Sequence, residues 1–441
     1  AAESICNSAH ESCQGPKGSP RDLQLRFIDC HTYEIVEPPS SCEYVALSYV
    51  WGDAEPIKDV KDVSGKTASF PRFIEVTLGL KYRYLWVDRY CIDQDSTYKE
   101  HIINRMDQVY KHARVVIIAA TGNGADDGLP GISVRRDQLL EFTMGSFTFR
   151  QMPPYGLDHL RKTKWATRGW TYQEGYLSYR RLFFSNTQTI FACDKMLFPE
   201  SFTCGFELDH FGTFPSFIRG SMHSSTSYYS HLRENVEAYT SRRLTYDSDS
   251  LRAFLGVLND YKTGVIHQLH HLWGVTILPA DIHQELCIAL DWVHAHGKLI
   301  RRRPGCPSWS WAGWAGKVLL PPKLKATLSI VYLDENRKTP LDTIYQTLSS
   351  SKDPPRLLYL ESYVTEVMFI PGGHVKPLED SYPPDLRPDF FAILPITDTE
   401  HMACTIYLDS AVDMMTPYPA ILLEESDEVG NSNFIISNAW G

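Results

Sequence analysis

Arg114-Val-Val-Ile-Ile-Ala-Ala120 is the stretch that most limits what this chain can become. Nearly every position is apolar, so a strand built from it has no side to show to water and must be covered on both faces. The usual sheet of that kind is parallel, with crossover helices packed above and below it. Two other short runs of β-formers follow the same logic. Tyr44 to Val50 stops at Trp51-Gly52-Asp53, and Tyr84 to Asp88 is an aromatic-rich run closed by an acid. Beyond Asp88, residues Ile102, Met106, Val109 and Ala113 form one stripe at helical spacing, widened by Ile103 and Tyr110. Thr97-Tyr-Lys-Glu100 ahead of it fits a capping box, in which hydroxyl and carboxylate each satisfy an exposed amide. Residues 139–152 have a hairpin pattern, and Arg181 to Ser185 and Thr189 to Cys193 are two further short strands. Strands alternating with helices in this way predict an α/β fold, a parallel sheet with flanking helices. Crossover connections then bring the ends of these runs to one edge of the sheet.

Outside this block the pattern changes. Residues 1–40 mix Gly, Pro, Ser and three cysteines with one strand-like stretch, Leu23 to Asp29, and are expected as an N-terminal arm. The α/β domain is expected over 41–204. Residues 205–316 are expected as a helical region, with helical spacing over His231–Thr240, Asp249–Leu258 and Ile282–Val293. That region ends in Pro307-Ser-Trp-Ser-Trp-Ala-Gly-Trp314, whose indoles are expected to dock a C-terminal portion onto the α/β domain. Residues 317–441 show short β-runs between Pro- and Gly-rich turns, among them Leu357–Tyr363, Phe390–Ile396, Thr405–Leu408 and Ala420–Leu423.

The bulk numbers exclude some partners. With 43 Lys plus Arg against 53 Asp plus Glu, the net charge is −10, the wrong sign for neutralising a nucleic-acid backbone. The one dense basic run, Arg301-Arg-Arg303, is expected as a solvated loop. No apolar run reaches the ~18–20 residues of a membrane helix, and Ala1 to Pro20 lacks the plan of a signal peptide. Ten cysteines over 441 residues, with no CxxC pair, suggest neither a disulfide scaffold nor a zinc ribbon. Adjacent His270 and His271 suit no zinc-protease motif. The expectation is a reduced, cytoplasmic protein with no metal site, no membrane and no nucleic acid.

Chemistry-bearing residues gather in three segments, Tyr44–Asp53, Leu85–Gln94 and Thr167–Glu174, each where a strand ends or a helix begins. In an open α/β sheet, ligands sit there. Trp170 and Glu174 are four apart and share a helix face, with Gln173 beside them. An indole under a carboxylate suits a flat ring bearing hydroxyls, such as a nucleotide ribose, and a carboxylate can stabilise an oxocarbenium-like transition state. Thr171-Tyr-Gln-Glu174 is also a capping-box pattern, and Trp170 also suits a core. The first segment offers Ser48, Tyr49, Trp51, Gly52 and Asp53. Gly52 permits close backbone approach, while Trp51 either stacks on a ligand ring or covers the core. The second offers Asp88 as a ligand or active-site acid, Cys91 as a small hydrophobe or a reactive thiol, and Gln94. Asp95 is expected to cap the next helix, with Asp93 open between capping and binding. Arg168 either meets a phosphate with the helix N-terminus or, the preferred reading, pairs with Asp88 or Glu174.

The order and wording of the three segments resemble the HET domain, the heterokaryon-incompatibility domain of filamentous fungi. Where that family usually reads Trp-Ile-Asp and then Cys-Ile-Asn-Gln, this chain has Val87 for Ile and Asp93 for Asn. Arg242-Arg-Leu-Thr-Tyr-Asp-Ser-Asp249, Leu251–Gly256 and Pro307–Trp311 are similar to segments beyond many HET cores. The resemblance implies a TIR-like, flavodoxin-like α/β domain and a role in self/non-self recognition and programmed cell death. TIR proteins that cleave NAD open a helix with Trp-Cys-x-x-Glu, whose Glu is catalytic, and Trp170-Thr-Tyr-Gln-Glu174 keeps that spacing with Thr171 for Cys. On that likeness Glu174 is the catalytic carboxylate of an NAD(P) glycohydrolase, with Asp53, Asp88 and Trp51 shaping the pocket. NAD(P) is then substrate and not a bound cofactor, and self-association completes the site. Two other readings stand beside it: a non-catalytic signalling module, in which Glu174 caps its own helix, and a biosynthetic enzyme acting on a small metabolite.

Overall fold

The computed structural model describes residues 2–17, 23–39, 41–52, 70–124, 127–154, 157–202, 204–207, 218, 228–264, 269–280, 285–288, 292–295 and 300–320, and beyond them seven strands between 330 and 436. The chain divides into two compact units. The first is Ala1–Ser225 with Arg242–Leu244 and Arg252–Asp260; the second is Thr226–Ser241, Thr245–Leu251 and Tyr261–Gly441.

The first unit is built on a nine-stranded mixed sheet. Its centre is four parallel strands in the order β4 (Tyr84–Trp86), β3 (Tyr44–Ser48), β5 (Val115–Ala119), β8 (Arg180–Phe184). In register, Val45 faces both Leu85 and Val115, and Val116 faces Arg181. All five residues of β3 and all five of β5 are buried, as expected for strands without a polar face. The connections carry α2 (Phe70–Gly79), then α3 (Asp88–Cys91), α4 (Lys99–Ile103) and α5 (Met106–His112), then α6 (Gly169–Leu177). The chain leaves β3 for β4 on one side and returns to β5 on the other. The strand order therefore reverses at β3, and in open α/β sheets ligands bind at such a switch point.

Antiparallel strands extend both edges. The expected strand of the arm joins the sheet: β1 (Phe27–Asp29) pairs β4, and β2 (Glu34–Val36) pairs β1. The chain before it is ordered too, as α1 (Ala2–Ala9) and a 3-10 turn over Glu11–Cys13. At the other edge β9 (Thr189–Cys193), β10 (Met196–Pro199) and β11 (Phe206–Glu207) follow β8 as a meander. The hairpin expected over 139–152 is β6 (Glu141–Met144) with β7 (Phe147–Arg150), every residue of it exposed, lying in the crossover between β5 and α6.

The helix expected from Thr97 to Ala113 is instead two, parted by a turn at Asn104 and Arg105. The capping box does not form. Ser96 Oγ accepts the Tyr98 amide at 3.0 Å, and Glu100 is drawn into an ion pair with Arg252, whose Nε also reaches Asn104 at 3.0 Å. A guanidinium is the stronger partner for that carboxylate.

Helix α6 is buried at eight of its nine positions, so its end groups need partners from the protein. Arg181 supplies them. Its buried guanidinium donates to the Gly175 carbonyl at 2.5 Å and the Tyr176 carbonyl at 3.1 Å, and pairs with Asp194 at 3.0 Å. One side chain thus closes the C-terminus of α6 and bolts it to β8.

In the second unit, α7 (Tyr228–Thr240) and α8 (Asp249–Gly264) bear out the helical spacing there, the middle of α8 counting with the first unit. Among the described residues of Ile282–Val293 there is no helix: Glu285–Ile288 is a strand, β14, paired with β13 (Val275–Ala280), which pairs β12 (His270–Leu272). Residues 270–288 keep few turn signals but enough β-branched and apolar character to pair as strands, and pairing overrides a weak helical pattern. Arg301–Arg303 is not a free basic loop. Arg301 grips Asp247 through two bonds of 2.6 and 2.7 Å, and buried Arg303 donates to Ser250 Oγ at 2.8 Å and the Trp314 carbonyl at 2.7 Å. Trp311 is buried within this unit, donating to the Gly274 carbonyl at 2.9 Å and meeting Tyr239 edge-on at 6.1 Å. The β-rich C-terminal portion contains a five-stranded antiparallel sheet of Val364–Pro371, Phe390–Pro395, His401–Ile406, Tyr418–Leu422 and Phe434–Ile436. Among the described residues no helix is long and apolar enough to cross a membrane.

Replacing Arg181 by Met would leave Asp194 buried without its cation and open two helix-end carbonyls. The expected loss is about 3–5 kcal/mol of unfolding free energy, read from urea denaturation monitored by tryptophan fluorescence.

Candidate functional site

Ser48 ends β3 with its hydroxyl fully buried, and the chain around α6 meets it twice, through Trp165 and through Glu174. Its Oγ donates to Glu174 Oε2 at 2.5 Å and accepts the indole N–H of Trp165 at 2.7 Å. Glu174 reaches Ser48 because α6 starts at Gly169, which places position 174 in the second turn facing the sheet edge. The capping box over Thr171–Glu174 does not form. The helix N-cap is Arg168, without a side-chain bond, and the Thr171 hydroxyl goes to the Trp165 carbonyl while accepting from Arg242 at 3.2 Å.

Glu174 is only 5% exposed, and burial together with the negative charge of Asp88 pushes its carboxyl up to about 8. The Ser48 bond, the charge of Arg168 and the hydroxyl of Tyr110 work against that rise without cancelling it. Tyr110 also donates to the Leu47 carbonyl at 3.2 Å. At neutral pH Glu174 is therefore mostly a protonated acid. The carboxylate here is Asp88, half-buried at the end of β4, raised by desolvation to about 6 and so mostly ionised. Its Oδ1 accepts the Arg89 amide at 2.6 Å and its Oδ2 accepts the Trp51 indole N–H at 2.9 Å.

Trp51 is 36% exposed, with the Arg89 guanidinium 5.9 Å above its ring. The turn that presents it depends on Gly52, at φ +70°, where a side chain would be strained. Gly124, in the loop after β5, lies beside Gly52 at ordinary contact distance. Tyr49 is buried, its hydroxyl held protonated by burial and by the Asp88 charge. Arg168 is half-buried, and its charge steadies both acids.

The remaining predicted residues have other partners. Cys91 is interior: its sulfur takes the Val87 amide at 3.3 Å, and burial pushes the thiol up to about 12, so it is no reactive nucleophile. Asp93 is exposed, pairs with Arg26 at 3.4 Å and accepts the Asp95 amide at 3.2 Å, so the turn-forming acid is Asp93 and not Asp95. Gln94 is exposed and donates to the Ile92 carbonyl at 3.1 Å. Gln173 is buried and accepts the Gly256 amide at 2.9 Å, a packing contact with α8. Trp170 is half-buried in the first turn of α6, and the indole bonded to an acid is Trp51. Asp53 lies outside the described residues. Three contributors were not foreseen: Trp165, Tyr110 and Arg89. Arg89 follows Asp88 directly, Trp165 precedes the third segment by two positions, and Tyr110 looked like one more member of an apolar stripe.

Residues 44–174 match the family model described as heterokaryon incompatibility protein (HET), and they run from the first residue of β3 to the buried acid of α6. That segment is therefore a HET domain. No curated protein and no solved structure matches it.

Two outcomes follow from the geometry. Ser48→Ala removes the hydroxyl that accepts from Trp165 and donates to Glu174, with an expected loss of about 1–3 kcal/mol in chemical denaturation. Glu174 binds its proton more tightly folded than unfolded, so its contribution to stability is full below about 4.5 and is lost as pH rises through about 8. Thermal melting of the native chain should fall across that window, and Glu174→Gln should flatten the slope.

Proposed function

We propose that this HET domain protein serves fungal self/non-self recognition and the cell death that follows it, and that its three-segment site hydrolyses the N-glycosidic bond of NAD(P). The observation that carries the reading is the acid pair. Asp88 and Glu174 come from two different segments, each destabilised as an anion, with the exposed Trp51 indole bonded to one of them. Acids raised in this way cluster at functional sites. Such a pair gains most from a cation, and the nicotinamide riboside of NAD is one. Order among the parallel strands, second–first–third–fourth, supports a flavodoxin-like and TIR-like ancestry, whose ligands lie at the same switch point.

In this mechanism Trp51 stacks on a ring of the dinucleotide and Arg168 meets the pyrophosphate. Asp88 faces the developing charge on the ribose as the C1′–N bond breaks, and the bonding electron pair leaves with neutral nicotinamide. Water adds to the anomeric carbon and gives its proton to Asp88, which passes it to solvent. Glu174, protonated at rest, hydrogen-bonds the ribose hydroxyls and keeps its proton through the step. NAD(P) is substrate here, the site of action is cytoplasmic, and self-association completes the pocket.

A second reading has its own observation. The Trp165–Ser48–Glu174 chain is satisfied within the protein, as suits a buried latch in a non-catalytic signalling module. Nicotinamide release by the purified chain, with and without a crowding agent, separates the two. The enzyme reading expects turnover that drops roughly 100-fold or more in Asp88→Asn and Glu174→Gln while both variants stay folded. Absence of release at every protein concentration, with Glu174→Gln altering only the melting temperature, establishes the latch.

A further inference from the structure

At the edge of the sheet where β9 ends, four side chains with metal-ligating atoms come together: Cys6, His10, Cys13 and Cys193, all four ligand atoms within 4.8 Å of one another. Local geometry explains the first three. The His10 amide bonds the Cys6 carbonyl at 3.0 Å, continuing the α1 helix, so positions 6 and 10 share one face. A 3-10 turn then folds back, with the Cys13 amide on the His10 carbonyl at 3.1 Å, and returns Cys13 to the same point. Cys193 arrives from the sheet as the last residue of β9.

We infer that these residues form a Cys3His zinc site that fastens the N-terminal helix to the sheet. Four ligands of this kind are a complete structural zinc set. Tetrahedral zinc, with bonds of about 2.0–2.3 Å, holds its ligand atoms roughly 3.4–3.8 Å apart. The His10 Nδ1 to Cys193 Sγ distance is 3.4 Å.

Surroundings agree with that chemistry. The three sulfurs are buried, and the three cysteines are free. Phe191, Leu182, Met196 and Phe198 wall them in, leaving a closed site of the structural type and not an open catalytic one. The Met196 amide donates to Cys193 Sγ at 3.3 Å, an outer bond of the sort that orients a ligating thiolate. Three thiolates, a neutral imidazole and a divalent ion sum to one negative charge. Arg180, buried beside them and bonded to Asn7 Oδ1 at 2.6 Å between two ligands, supplies the opposite one. A disulfide would employ two of the sulfurs and leave the third and the imidazole without a purpose. The anchor also answers a need, because a helix of eight residues is marginal by itself in water.

The test is the metal content of the purified full chain and its cobalt spectrum. The expected result is about one zinc per chain, released by a mercurial thiol reagent. Cobalt replacement should give thiolate-to-metal charge-transfer bands with the intense visible bands of tetrahedral geometry. Cys193→Ser should lose the metal, while Cys204→Ser, at an exposed thiol, should keep it. Because Cys193→Ser can also fail to fold, His10→Cys provides a second arm: it retains four ligands, so metal stays and the charge-transfer band strengthens. A chain that takes up neither zinc nor cobalt after reduction overturns the site, as does metal retained in folded Cys193→Ser or a His10→Cys spectrum identical to the parent's.

Discussion

A single hydroxyl, that of Ser48, couples the sheet to the helix that carries the site. It accepts a hydrogen bond from Trp165 and donates one to Glu174, so two regions more than a hundred positions apart, the end of β3 and the stretch around α6, share one hydrogen-bonded chain. The interaction works only because Ser48 stands at the end of a strand with no exposed face. In water the same hydroxyl would trade freely between solvent partners and hold nothing in place. Arg181 clamps the C-terminal turn of the same helix, so α6 is held by both β3 and β8.

That fixation sets the electrostatics. A carboxyl on a mobile helix would turn toward solvent and ionise at its ordinary pH. Held against β3 and sharing its neighbourhood with Asp88, Glu174 keeps its proton, and the charge of the pair is left on the more open member. The two acids thereby divide their roles by environment and not by residue type. The aromatic partner and the turn that exposes it belong to the first segment, and Arg168, which steadies both acids, to the third.

Much of this was legible beforehand for physical reasons. β3 and β5 announced themselves because a strand without a polar face has few alternatives, and Trp51-Gly52 because glycine marks a left-handed turn. Other features rest on contacts that no local pattern encodes. Thr97–Glu100 has the letters of a capping box, yet a guanidinium 152 positions from Glu100 outcompetes the helix end. Thr171–Glu174 carries the same letters, and there the acid is taken by a strand. Cys6, His10 and Cys13 follow no familiar zinc spacing, and their fourth partner is 180 residues further on from Cys13, so only the fold could bring them together. Conversely, Gln94 and Cys91 sit inside a recognisable segment and still have partners of their own, because a motif marks a stretch of chain while each side chain answers to its surroundings.

The β6–β7 ribbon has a different consequence. Among the described residues its two short strands pair only with each other, and Phe142 stacks on Phe149 at 5.0 Å in full view of solvent. A two-stranded ribbon without a covering layer has little cooperative protection. Its amides therefore exchange with heavy water long before those of β3 or β5, by openings that leave the sheet intact. The crossover leading to the Glu174 helix thus contains a segment whose breathing is decoupled from global unfolding.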